Sequence, residues 1–141
     1  MKRLFSLALV ALMTPMMALA QSATMYRTPY CGCCLGHADY LRSLGFEVDI
    51  VELQPEALAA MKAGHAIPAA QQGCHTLMVE GYVVEGHVPV EAINKLLEER
   101  PDIVGISLPG MPIGSPGMGG QKAEPFKVMV IGEDDEIFAI I

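Results

Sequence analysis

The sequence predicts a single α/β domain whose elements run strand, helix, strand, helix, strand, strand, helix, followed by a Gly/Pro/Met loop and a C-terminal β-hairpin. Apolar runs with a period of two alternate with runs of helical period. Glycines and prolines separate these runs and mark turns. The chain of 141 residues has room for one ordinary core. We therefore expect one domain.

Residues 1–20 are predicted to be a secretory signal peptide and not part of the fold. Lys2 and Arg3 precede an apolar run that ends in Ala18-Leu19-Ala20. This order of charge, apolar residues and small residues is typical of a cleaved leader. The apolar run is short for a membrane span, and no later stretch is long and apolar enough for one. The domain is therefore expected to comprise residues 21–141, to be periplasmic, and not to be embedded in the membrane.

The individual elements follow from local spacing. Apolar residues three apart indicate the first helix, and Pro55 suits the first turn of the second. Gly81 lies between two short strands that predict a tight hairpin. The predicted strands are 24–27, 46–53, 76–80, 82–86, 126–131 and 136–141, the predicted helices are 34–44, 55–62 and 89–100, and residues 105–120 are predicted to be a loop without regular structure.

The charge balance limits the kinds of partner. The formal net charge is −7, and it becomes more negative when Lys2 and Arg3 leave with the signal peptide. Such a surface repels phosphate backbones, and no basic cluster offsets it. Nucleic acid is not an expected partner.

Four cysteines stand out: Cys31, Cys33, Cys34 and Cys74. Disulfides are the ordinary expectation for an even cysteine number in an exported protein. However, three of these cysteines fall within four residues, whereas a structural disulfide stabilises most by closing a long loop. The crowding therefore predicts a chemical role.

The cysteine spacing favours a soft metal. Cys31 and Cys34 form a C-x-x-C pair at a predicted helix start, where the helix dipole stabilises thiolates. Alone, this pair would predict a redox site. Cys33 would compete in disulfide exchange, but adjacent thiolates suit shared Cu(I). Zinc is less suited because its structural sites usually draw on two separate C-x₂₋₄-C knuckles.

Further ligands are predicted around the four cysteines. In this element order, the loop before the third strand lies beside the turn after the first, so Cys74 should meet the other three. His37 shares a helix face with Cys33 and Cys34, and His75 adjoins Cys74. The thioethers of Met111 and Met118, in the Gly/Pro-rich loop, also suit Cu(I). His65 and His87 are expected to be solvated or to cap helices.

Several sequence blocks together resemble a known family. TPYCGCC-x-x-H, GCHT and GYVVEGHVPVEAINKLLEERP resemble the CopG family of bacterial copper-resistance proteins. The resemblance spans nearly all of the mature chain, including LPGMPIGSPGM. It implies a thioredoxin-like fold, copper on Cys31, Cys33, Cys34 and Cys74, and a role in handling periplasmic copper.

The element order also resembles that of glutaredoxins, with one departure. Those enzymes have a cis-proline opposite the C-x-x-C pair, where this chain has Gly73-Cys74-His75-Thr76. A ligand-type side chain thus replaces a substrate-binding turn. The departure favours a metal over a peptide thiol as the bound group.

The leading hypothesis is a Cu(I)-binding protein for copper resistance that also cycles copper between oxidation states. Its expected partners are other periplasmic copper-handling proteins. The alternative is an exported thiol–disulfide oxidoreductase, with Cys31 as nucleophile and Cys34 as resolving thiol. If the protein is an enzyme, it is therefore expected to be a copper or thiol oxidoreductase. A third hypothesis is a disulfide-stapled interaction domain. Loss of Cys33 and Cys74 should abolish a metal cluster but spare a reductase.

Overall fold

The computed structural model describes residues 20–133 and 135–141. The predicted leader therefore lies outside the described residues, apart from Ala20. The described residues form one mixed α/β domain with a seven-stranded sheet and three α-helices. The strands are β1 (Gln21–Arg27), β2 (Phe46–Glu52), β3 (His75–Val79), β4 (Tyr82–Glu85), β5 (Gly105–Ser107), β6 (Lys127–Val130) and β7 (Ile137–Ile140). The helices are α1 (Gly32–Ser43), α2 (Pro55–Gly64) and α3 (Val90–Glu99), with a short 3₁₀ turn at Ala69–Gln71.

The sheet has the strand order β2-β1-β3-β4-β5-β6-β7. The pairs β1–β2 and β4–β5 are parallel, and the other neighbouring pairs are antiparallel. Because β1 and β3 are antiparallel, with Arg27 opposite His75, the end of β1 lies beside the start of β3. This pairing brings the segment before β3 to the turn that follows β1.

The core is formed by apolar side chains from the sheet and the helices. Met25 and Leu77 on the sheet, Leu41 on α1 and Leu96 on α3 are completely buried. Burying an apolar side chain of this size stabilises a fold by about 1.5–3 kcal/mol. The core therefore fixes α1, whose first turn carries two of the cysteines.

The predicted order of elements is confirmed through α3, and the C-terminal hairpin is confirmed as β6 and β7. The prediction that 105–120 lacks regular structure is wrong at its start, where Gly105–Ser107 forms β5. Gly105 is required there because a Cβ would lie 1.8 Å from the Val83 carbonyl oxygen of β4. A glycine that resembled a loop signal in fact permits close strand pairing.

The first helix also starts earlier than predicted. It begins at Gly32, not at residue 34, and Cys31 is its N-cap residue. Cys33 and Cys34 therefore both lie in the first helical turn. Among the helices within 20–133 and 135–141, none is long and apolar enough to span a bilayer.

Candidate metal centre

The first part of the site is the segment Thr28–Cys34, which we term the thiol turn. The Cys31 N–H donates to the Thr28 carbonyl at 3.2 Å. Arg27, which pairs with Glu52 at 2.9 Å, donates from Nη2 to the Pro29 carbonyl at 3.0 Å. These bonds hold the turn between β1 and the N-terminus of α1, where unpaired N–H groups favour thiolates.

Sheet pairing brings Cys74 to the thiol turn, as predicted. The Sγ atom of Cys74 lies 3.8 Å from that of Cys33 and 3.5 Å from that of Cys34. Cys31 and Cys33 have their Sγ atoms 3.6 Å apart. All four sulfur atoms lie within 4.8 Å of one another. A small ion can therefore contact the whole set.

In this structure Cys31 and Cys34 are joined by a disulfide, while Cys33 and Cys74 are free thiols. The bond links residues three apart in sequence, so it closes only a short loop. Such a bond adds little to stability by constraining the unfolded chain. It is the oxidised form of a C-x-x-C pair, and binding a metal through all four thiolates requires its reduction.

The sulfur spacing fits thiolate coordination. A metal about 2.3 Å from each sulfur separates two tetrahedral ligands by about 3.8 Å. The three nonbonded Sγ separations of 3.5, 3.6 and 3.8 Å are close to this value. Once the disulfide is reduced, the sulfur atoms of Cys31 and Cys34 must move apart to a similar separation before all four thiolates can surround a soft ion.

Three completely buried imidazoles, of His37, His75 and His87, form a second group, which we term the histidine pocket. Nδ1 of His75 lies 3.3 Å and Nε2 of His87 lies 3.1 Å from Cys74 Sγ. Nδ1 of His37 lies 2.8 Å from Nε2 of His75, and its other ring nitrogen lies 3.0 Å from the Val88 carbonyl. Cys74, His75 and His87 thus form a mixed sulfur and nitrogen donor set.

Burial changes the protonation of this pocket in the metal-free protein. It lowers the pKa of His37 to about 4, with a further contribution from His87, and it holds the pKa of His75 well below its usual range. Burial also lowers the pKa of His87. The imidazoles are therefore neutral near pH 7, which is the form that binds metals.

The Cys74 thiol is held protonated in the metal-free protein. Burial, followed by the nearby Cys33, raises the pKa of Cys74 to about 12. Because the thiolate is the ligand form, a metal that binds Cys74 must displace this proton. Metal binding at this centre is therefore coupled to proton release.

The structure differs from the sequence prediction at His87. It was expected to be solvated or to cap α3, but it is completely buried and contacts Cys74. His37 and His75 do lie in the site, and only His75 of these two contacts a cysteine sulfur directly. His65 is half-buried and lies at the end of α2.

The Gly/Pro-rich loop covers the histidine pocket. The Pro116 carbonyl lies 2.7 Å from Nδ1 of His87. Gly117, with φ +79°, packs so tightly on α1 that a Cβ would lie 2.3 Å from the His37 backbone nitrogen. Met118 follows this contact and is half-buried, whereas Met111 is exposed. The loop thus closes the pocket through its backbone.

Comparisons with known families and solved structures found similar proteins. The family model described as "Protein of unknown function, DUF411" matches residues 71–118. No curated protein matches the sequence. Two solved structures, "Copper resistance protein copG- Form 1" and "Form 2", are each 34% identical to this chain, cover 86% of it and 98% of their own length, and superpose with a TM-score of 0.75. The chain belongs to the CopG family of copper-resistance proteins.

Membership in the CopG family confirms the resemblance drawn from the cysteine and histidine motifs. The segment matched by the DUF411 model begins just before Cys74 and ends at Met118. It therefore contains His75, His87 and the covering residue Pro116. The thiol turn lies outside this segment.

Proposed function

We propose that this CopG-family protein binds Cu(I) through Cys31, Cys33, Cys34 and Cys74 and serves copper resistance in the periplasm. The observation that carries the proposal is the grouping of four sulfur atoms within 4.8 Å, contributed by two separate segments. The solved relatives are named copper-resistance proteins. Thiolate ligands match the softness of Cu(I).

The number and type of donors favour copper over a single zinc ion. A structural zinc site uses four ligands. Here the imidazoles of His75 and His87 contact Cys74 in addition to the four sulfurs. A larger donor set of thiolates and imidazoles suits copper in more than one oxidation state. His37 orients the ring of His75 through their 2.8 Å contact.

Two further steps involve the protein's own thiols. An external dithiol supplies the two electrons and two protons that convert the Cys31–Cys34 disulfide to two thiols, and it leaves as its own disulfide. Metal binding then displaces the thiol protons, including the proton held on Cys74. After loss of the metal, exchange with a disulfide oxidant, which leaves as two thiols, restores the Cys31–Cys34 disulfide and completes a redox cycle.

Export and fold topology are part of the same proposal. The leader pattern that ends in Ala18-Leu19-Ala20 supports secretion and periplasmic location. The strand order β2-β1-β3-β4, with β1 parallel to β2 and antiparallel to β3, supports a thioredoxin-like arrangement of the first half of the sheet. In that location, the partners would be the metal ion and other copper-handling proteins.

The test is copper stoichiometry on the mature chain, reduced and loaded with Cu(I) without oxygen. We expect tight retention of at least one copper ion per chain and loss of retention when Cys33→Ser and Cys74→Ser are combined. A His65→Gln variant, altered outside the site, should retain copper as the unmodified protein does. Failure of the unmodified protein to retain copper would contradict the proposal.

The disulfide supports a second candidate, a thiol–disulfide oxidoreductase that uses Cys31 and Cys34. This activity should survive the combined loss of Cys33 and Cys74, because neither belongs to the bonded pair. Reduction of a disulfide-linked peptide by the double variant, without copper retention by the unmodified protein, would favour the reductase.

A further inference from the structure

A buried ion pair lies against the residue that precedes Cys74. The side chain of Lys62 is 5% exposed and that of Glu85 is 0% exposed, and their charged groups are in contact. Removing two charges from water is costly, and well-packed apolar side chains often stabilise a protein equally well. The core therefore does not require charges at these two positions.

Both charged groups bind the backbone of Gly73. Lys62 donates from Nζ to the Gly73 carbonyl at 2.6 Å, and the Gly73 N–H donates to Oε1 of Glu85 at 2.7 Å. The other carboxylate oxygen of Glu85 accepts from the Thr76 hydroxyl at 2.6 Å. The ion pair thus holds the chain immediately before and after the dipeptide Cys74-His75.

Packing restricts the same segment. A Cβ on Gly73 would lie 2.6 Å from the Cα of Gly86, so the two backbones are in direct contact. The Gly86 N–H donates to the His75 carbonyl at 3.0 Å. Glu85 therefore lies in the strand that fixes His75 and also in the pair that fixes Gly73.

We propose that Lys62 and Glu85 are positioning residues that hold Cys74 and His75 at ligand distance from the thiol turn. They act through the backbone of Gly73 and the hydroxyl of Thr76. The inference rests on the proposed copper function for its purpose. Its geometric content, the placement of Cys74 next to Cys34, can be measured without metal.

The measurement uses a background with Cys31→Ser and Cys33→Ser, which leaves Cys34 and Cys74 with sulfur atoms 3.5 Å apart. The protein is equilibrated with glutathione disulfide, which oxidises the two thiols to one disulfide and releases two molecules of reduced glutathione. The equilibrium constant gives the effective concentration of one thiol at the other. The test variant adds Lys62→Met with Glu85→Leu.

The matched control removes an exposed ion pair. Lys95 and Glu99 on α3 are 2.7 Å apart, with side chains 40% and 53% exposed. Lys95→Met with Glu99→Leu should leave the effective concentration unchanged. The buried-pair variant should lower it at least about tenfold, since small displacements strongly reduce effective concentrations. Circular dichroism and cooperative urea unfolding establish that each variant is folded.

A folded buried-pair variant with an unchanged effective concentration would overturn the inference. If that variant does not fold, Glu85→Gln, which removes the charge but keeps the shape, is measured by the same criterion. Cu(I) competition on the four-cysteine protein separates the two proposals. If the unmodified protein binds no copper while the buried-pair variant still loses effective concentration, the copper function fails and the positioning role stands.

Discussion

The thiol turn and the histidine pocket both contact Cys74, but only the turn is open to water. Tyr30 in the turn is 84% exposed, and Cys31 and Cys33 are partly exposed. The imidazoles of the pocket are completely buried beneath α1 residues and the Pro116–Gly117 segment. We infer from this difference in exposure that the two parts of the proposed site have different roles. The turn meets the incoming metal or reductant, and the pocket supplies ligands that require no deprotonation.

This comparison also separates two ways of building a site. The turn takes its geometry from a local motif at a helix N-terminus. The pocket takes its geometry from sheet pairing, a covering loop and the buried Lys62–Glu85 pair. Perturbing the pocket should therefore affect stability as well as binding, whereas perturbing the turn should affect binding and redox chemistry.

The largest expected effect is the pH dependence of stability in the metal-free protein. The pKa of His37 falls from 6.5 in the unfolded chain to about 4 in the folded one. The unfolded chain binds more protons between these values, so stability is present above pH 6.5 and is lost as the pH falls toward 4. The loss attributable to His37 is about 3 kcal/mol over the whole window.

Urea unfolding at several pH values between 7 and 4 measures this loss. The structure indicates that the histidine pocket excludes water. Equal free energies of unfolding at pH 7 and pH 4.5 would contradict this.

The next effect concerns copper affinity. Cys74 contacts both the thiols and the imidazoles, whereas Cys31 belongs to the turn alone. Cys74→Ser should therefore lower Cu(I) affinity more than about a hundredfold, beyond the loss usual for an outer contact. Cys31→Ser should lower it less. Competition with a colorimetric Cu(I) chelator ranks the two variants, and equal losses would contradict a central role for Cys74.

The third effect tests the cover over the pocket. Gly117→Ala places a Cβ 2.3 Å from the His37 backbone nitrogen, at a positive φ that alanine rarely adopts. We expect a loss of about 2 kcal/mol in stability. Gly119 is the matched control because a Cβ there meets nothing within 4 Å. Thermal unfolding of both variants measures the two losses in stability. Similar losses would mean that the packing of the Gly/Pro-rich loop on α1 contributes little to stability.

The sequence predicted the two halves of the site unequally. The C-G-C-C motif and Cys74 were found because their chemistry is local and β1–β3 pairing follows from the element order. His87 was missed because its loop position indicated solvent. The register of the β3–β4 hairpin could have located His87. Val79 pairs with Tyr82 and Thr76 pairs with Glu85. Continuing this register beyond the strands sets Cys74 opposite His87.

Other features depend on contacts that no local pattern specifies. The burial of Lys62 beside Glu85 joins α2 to β4, which are separated by 23 residues in sequence. The packing of Gly117 on α1 crosses an even longer separation. In contrast, the alternating and helical periods predicted the three α-helices and six of the seven strands among the described residues, because most of those elements bury an apolar face of their own.

The smallest expected effect compares the two free thiols in the oxidised, metal-free protein. Because the pKa of Cys74 is raised to about 12, little of it is thiolate at pH 8. Iodoacetamide should therefore modify Cys74 at least about tenfold more slowly than Cys33, which lies in the open turn. Peptide mapping at successive times gives both rates, and unfolding in urea should bring them together. Equal rates in the folded protein would mean that water reaches Cys74 as freely as Cys33, and the distinction between turn and pocket would no longer hold at the residue that links them.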